Sequence, residues 1–297
     1  MSALAGTPAT SLRRSGPSAG LIAGAGLGVL VTAAAAAALP LLVYSVSLAC
    51  FGLAHVLAEL RYVDTRFGPR LGARLRLCLG ALLVGVFSLR CLTALGVRVP
   101  QARGVELALV VALCAAVLPP LVRRHRALGA AAGGLVVALA LLAWRWPLEV
   151  LFALTFTHNL TPVGFVAERL RGRARLLALG ACAVVFGAVP LLIASGLPFE
   201  LLARAGLARP EASLLPTVTA LDPHLSAFLP LSLQRSPDYT LSLFAAAAYL
   251  QCMHYAAVLH VLPRFDDDAG WTGPRNALPW PRRPLFALLL LGAGACS

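Results

Sequence analysis

Apolar residues fall into runs at about 20–38, 40–60, 77–96, 105–122, 127–144, 147–167, 176–195, 239–262 and 284–296, parted by short polar stretches. A helix needs roughly 20 apolar residues to cross a hydrocarbon layer about 30 Å thick, and most of these runs approach that length. The pattern therefore predicts an all-α fold, a polytopic transmembrane bundle of eight or nine helices. The count turns on Pro40, which alone parts the first two runs. A single helix of about 40 residues would be about 60 Å long, too long for one crossing, so the split is preferred. The last run stops after 13 residues, short for a span. Residues 1–19 are small and polar and are read as a disordered cytoplasmic N-terminus, with Arg13 and Arg14 leading into an uncleaved anchor in preference to a signal peptide. Residues 20–297 then form a single transmembrane domain. Its outer loop at 197–238, rich in proline and leucine, is expected to carry short helices at the interface.

Charge orients these helices. Arg13/Arg14, Arg61 to Arg76, Arg123/Arg124/Arg126, Arg169 to Arg175 and Arg264 to Arg283 fall on alternate sides of successive runs from Arg98/Arg103, Arg145 and Arg204/Arg209/Arg235. The denser clusters mark the cytoplasmic face, which puts the N-terminus inside and Trp144 and Trp146 at the outer interface. Composition agrees: 59% of residues are hydrophobic and 12% charged, against roughly 25% charged in soluble domains. The net charge of +13 does not point to nucleic acid, because the arginines sit in short loop clusters and not on one continuous face. All 25 basic residues are arginine, a coding bias that, without an organellar targeting pattern, points to a bacterial inner membrane. The seven cysteines lie inside apolar runs without a C-x-x-C spacing and read as small core residues.

Against this background, polar groups at bilayer depth are expensive and mark candidate sites. In the second run His55, Glu59 and Tyr62 are spaced i, i+4, i+7 and share a helix face. In the sixth, His158 is followed by Asn159, and Pro162 breaks the helix one turn on. In the eighth, Gln251 and His254 share a face, whereas His260 is rotated by about 120° from His254. Counted from Arg61, Arg169 and Arg264, residues His55, His158, His254 and His260 lie 6, 11, 10 and 4 residues in, or about 9, 16, 15 and 6 Å at 1.5 Å each. All four thus occupy the inner half of the bilayer. His55, His158, His254 and His260 are the candidate metal ligands, Glu59 and Tyr62 the candidate catalytic groups, and Asn159 and Gln251 the residues expected to support them.

Neutral imidazoles with one carboxylate suit non-haem iron, and also zinc or copper, while an apolar chamber admits a lipid-like substrate and excludes water. The first expectation is therefore an iron-dependent membrane oxygenase, desaturase or hydroxylase acting on a small apolar, lipid-like or isoprenoid molecule drawn from the membrane. The sequence carries no mark of a redox partner. Two further readings use the same residues: a transporter or channel with a His/Glu pathway, and a membrane protein whose histidines bond across helices as packing groups. The helix number and the placing of His55, His158 and His254 on separate helices resemble the bacterial Brp/Blh-type carotenoid-cleaving membrane oxygenases. That resemblance implies iron held by histidines from several helices. The tryptophan-rich surroundings of that family's first histidine do not occur around His55. Nor does the chain contain the H-x-x-H-H boxes of membrane fatty-acid desaturases or an H-E-x-x-H zinc motif.

Overall fold

Each of the first eight apolar runs becomes a helix in the computed structural model, which describes residues 19–67, 71–207, 229–234 and 236–265. The helices are α1 (Ala19–Ala38), α2 (Pro40–Phe67), α3 (Ala73–Ala94), α4 (Ala102–Ala116), α5 (Leu118–Arg124), α6 (Arg126–Arg145), α7 (Pro147–His158), α8 (Thr161–Arg169), α9 (Gly172–Ala183), α10 (Val189–Ala194), α11 (Leu197–Arg204) and α12 (Pro237–Ala256). No strand occurs among the described residues. Among the described residues seven spans are long and apolar enough to cross a membrane, three of them built from paired segments (α4–α5, α7–α8 and α9–α10), while α1 contributes a shorter apolar helix. The ninth run, 284–296, and the N-terminal residues 1–18 lie outside the described residues, as do 208–228 of the expected outer loop.

Proline accounts for most of the interruptions. It lacks an N–H and clashes with the preceding turn, so it starts a helix better than it continues one. Pro40 opens α2 directly after α1 ends, which splits the first two runs as their combined length requires. Pro162 lies in the first turn of α8, and the chain turns at Asn159 and Leu160 to reach it from α7. Pro190 similarly follows a π-helical turn at Val184–Ala188, between α9 and α10.

The bundle is organised around α12. Two-thirds of the α12 span (67%) is buried inside the protein, against 6% to 22% of the other spans. Ala245, Ala246, Ala247 and Ala248 give it a slender waist, buried to 5% exposure or less, and small residues of this kind let neighbouring backbones approach. Ala36 of α1 and Ile193 of α10 pack there against Tyr249 and Leu250. The outward faces of the other helices are hydrocarbon: Leu77, Leu135 and Leu141 are 73%, 72% and 67% exposed. A soluble monomer rarely leaves so much apolar surface open; in lipid it is the solvated face. The protein is thus an integral membrane protein. Helices α3 to α6 pack on one another and reach the remainder chiefly through α7. Arg90 pairs with Glu106, joining α3 to α4.

Three helices run in the same direction side by side. Gln251 of α12 bonds to Ser47 of α2, and further along the same two helices Ala58 and Tyr62 pack on Val258. Helix α8 keeps the same sense, with Thr161 beside Glu59 and Glu168 beside Tyr62. Helices α2, α7–α8 and α12 are the ones whose runs carry the polar groups, and their common direction is the one that alternating crossings require.

Candidate metal centre

Four side chains from the three parallel helices converge at one level. His55 and Glu59 come from successive turns of α2, His158 is the last residue of α7, and His254 lies near the end of α12. Each offers one ligand atom within 4.8 Å of every other. The three imidazole rings lie 4.7 to 6.1 Å apart by centroid. Glu59 stands between two of them, with Oε2 3.7 Å from His158 Nε2 and Oε1 3.6 Å from His254 Nε2.

Those two distances decide what the cluster can do. They exceed the 2.7–3.2 Å of a good hydrogen bond. Two donors that each sit about 2.1 Å from one ion in tetrahedral array are about 3.4 Å apart, which the observed spacing approaches. The hydrogen-bond balance agrees. His254 is fully buried, and both of its ring nitrogens lack a hydrogen-bond partner, as does Nδ1 of His55. An unpaired buried polar atom costs about 1–3 kcal/mol, and a divalent cation held by these imidazole and carboxylate donors would offset that cost.

The local chain explains the placement. The i, i+4 spacing stacks His55 above Glu59 on α2. The break at Asn159 and Leu160 ends α7 at His158, and its restart brings Thr161 round to donate to Glu59 Oε1 at 3.2 Å. Thr161 therefore holds the carboxylate that faces the two imidazoles, the kind of outer support that orients a metal ligand. Tyr255 lies against His55, ring centroids 4.2 Å apart at 30°. His158 is the open side of the cluster, its side chain 46% exposed.

The remaining sequence candidates fall outside the cluster. His260 lies one and a half turns beyond His254, past the start of a π-helical turn at Ala257–Val261. That widened turn does not swing it into the group, and its side chain is exposed. Tyr62 lies below the centre, fully buried, donating to Glu168 Oε2 at 2.7 Å and packing on Phe165. Asn159 is the buried cap of α7. Gln251 does not support an imidazole; its amide donates to Ser47 Oγ at 2.8 Å and to the Tyr44 carbonyl at 3.3 Å, clamping α12 to α2 above the centre. A Tyr62→Phe variant should lose about 1 kcal/mol of stability through the Glu168 bond, and a His260→Ala variant should be near neutral. Both should retain the parent's full metal content by elemental analysis; depletion in either would enlarge the ligand set.

Depth by residue count also needs one correction. Arg61 was the inner limit from which His55 was counted, yet it is buried and α2 runs on to Phe67. Counted from the observed ends, His55 is 12 residues from Phe67, His158 is 11 from Arg169 and His254 is 11 from Phe265. The three histidines are therefore about 16–18 Å from their helix ends, closer to one level than the arginines had suggested.

No family model matches the chain, and no curated protein or solved structure matches it either. Its function is argued from these four side chains.

Proposed function

We propose that the protein is a membrane-embedded metal oxidoreductase, an oxygenase, desaturase or hydroxylase, whose His55, Glu59, His158 and His254 hold iron and whose substrate is a lipid-like or isoprenoid molecule. The observation that carries this reading is the pair of carboxylate–imidazole separations at 3.6 and 3.7 Å beside a fully buried histidine with no hydrogen-bond partner. Three histidines and one carboxylate form a donor set used for iron, with zinc and copper as the competing occupants. Iron would supply the means of activating dioxygen. The protein's own residues do the rest. His254 and His55 keep the buried side of the centre dry, Thr161 orients Glu59, and the exposed flank at His158 leaves room for a reactant.

The surroundings support this substrate class. A centre buried between membrane-spanning helices meets hydrophobic reactants more readily than water-borne ones, and the described helix faces around it are apolar. The resemblance to Brp/Blh-type oxygenases, which rests on helix number and histidine placement, fits the same reading. Arginine placement supports an N-terminus on the inner side, and the exclusive use of arginine among the basic residues supports a bacterial cytoplasmic membrane.

The test is elemental analysis of protein purified in detergent without chelators, beside a His55→Ala/His158→Ala double variant. Iron near one per chain in the parent and its loss in the variant is the expected result. Zinc or copper at that level would replace the iron assignment. Parent protein that retains no metal, even after reconstitution with iron, zinc and copper, would overturn the reading in favour of a proton or ion pathway or of packing.

A further inference from the structure

A second feature lies beside the centre. A cavity of about 460 Å³ runs between α1, α2 and α12, walled by Val31, Val43, Val46, Phe51, Met253 and Leu259 among others. Its lining runs from Leu42 to Phe51 on α2, and from Cys252 on α12 to His260 in the π-helical turn that follows it. The nine-residue rise from Leu42 to Phe51 makes it a slot about 14 Å long at 1.5 Å per residue.

The wall is also drier than its residue types suggest. Thr32 donates its hydroxyl to the Gly28 carbonyl, and Ser47 donates to the Tyr44 carbonyl while accepting from Gln251. With those hydroxyls committed, the wall presents hydrocarbon over most of its length. Val31, Leu42, Val46 and Phe51, which rim it, are exposed on helices that face lipid. The slot thus opens sideways into the bilayer.

One residue joins this slot to the metal centre. Tyr255 lines the cavity, and its ring lies against His55 at 4.2 Å. Resting on the metal-centre reading above, we infer that the slot holds a single long hydrocarbon chain taken from the membrane, and that Tyr255 is the partition past which the chain presents its reacting carbon to the centre. An elongated apolar slot that opens to lipid and shares a wall with a metal cluster selects for one extended chain. Tyr255 is a positioning residue in this scheme.

Photolabelling tests it with a palmitic acid that carries a diazirine in mid-chain, added to the full-length protein in detergent and mapped by peptide mass spectrometry. Saturable adducts on Phe51, Cys252 and Leu259 are expected, and Val46→Trp, which fills the slot from an exposed position, should cut them at least fivefold. Ala35→Phe, filling the slot from α1, should do the same. Labelling of the outward residues Leu135 and Leu141 should be unchanged in both variants. Slot labelling that is unsaturable, or that both fillings leave intact, would overturn the inference. Metal content is read on the same samples. An iron-loaded centre beside an unlabelled slot would sink this inference alone, and a labelled slot in a protein that binds no metal would sink the metal reading and Tyr255's positioning role with it, while the chain-binding slot would stand.

Discussion

A His254→Ala variant should purify with less than about a tenth of the parent's metal, and its melting temperature should no longer respond to added iron. The expectation follows from what the imidazole lacks. It is fully buried, has no hydrogen-bond partner at either ring nitrogen, and stands 3.6 Å from a carboxylate. If it serves only to fill space, alanine leaves a cavity whose cost is a few kcal/mol. Removal of two unpaired polar atoms, each costing about 1–3 kcal/mol, offsets much of that loss. Neither term depends on metal. If it is a ligand, the folded parent is stabilised by the ion it binds, by about 2.7 kcal/mol at a free metal concentration 100 times Kd. The variant forfeits that gain. Thermal unfolding of parent and variant, each with and without added iron, separates the two cases. A melting temperature that rises with iron in the parent alone identifies the ligand; equal insensitivity in both proteins makes His254 a packing residue.

The bundle itself was legible because lipid imposes a simple rule on the chain. Run length, proline and arginine placement are one-dimensional signals, and the breaks at Pro40 and Pro162 fall where those signals put them. His55, Glu59 and His158 were legible for a related reason: polar groups are rare at depth, so each stands out alone. Side-chain partners were harder to read. Gln251 and His254 share a face of α12, which suggested shared work, yet the amide reaches Ser47 and the imidazole reaches Glu59, about three turns further along α2. Periodicity gives the face and not the neighbour. Tyr255 went unseen because an aromatic residue in an apolar helix carries no signal until the helix opposite is known. Arg61 misled in the other direction. A charged residue near the end of an apolar run looks like a boundary, but Arg61 is buried and α2 runs on to Phe67.

Glu59 carries the second large effect. Three neutral imidazoles and one carboxylate leave a divalent ion with a net charge of +1, whereas Glu59→Gln leaves +2. In a low-dielectric interior several kcal/mol attach to each uncompensated charge, so metal affinity should fall at least about 100-fold. The amide also puts an N–H₂ donor where the cluster now offers an acceptor. Thr161→Val keeps the volume of the threonine but removes the hydroxyl that donates to Glu59 Oε1 at 3.2 Å, and losses of this outer kind run at about 10–100-fold. The order matters more than either size: parent, then Thr161→Val, then Glu59→Gln, in falling affinity measured by competition with a chelator of known strength. A packing role for the cluster predicts no such series, because there is no metal affinity to grade. A series in which Glu59→Gln binds metal as tightly as the parent would leave three histidines as the whole ligand set, and would make the carboxylate a proton acceptor beside the centre instead of part of it.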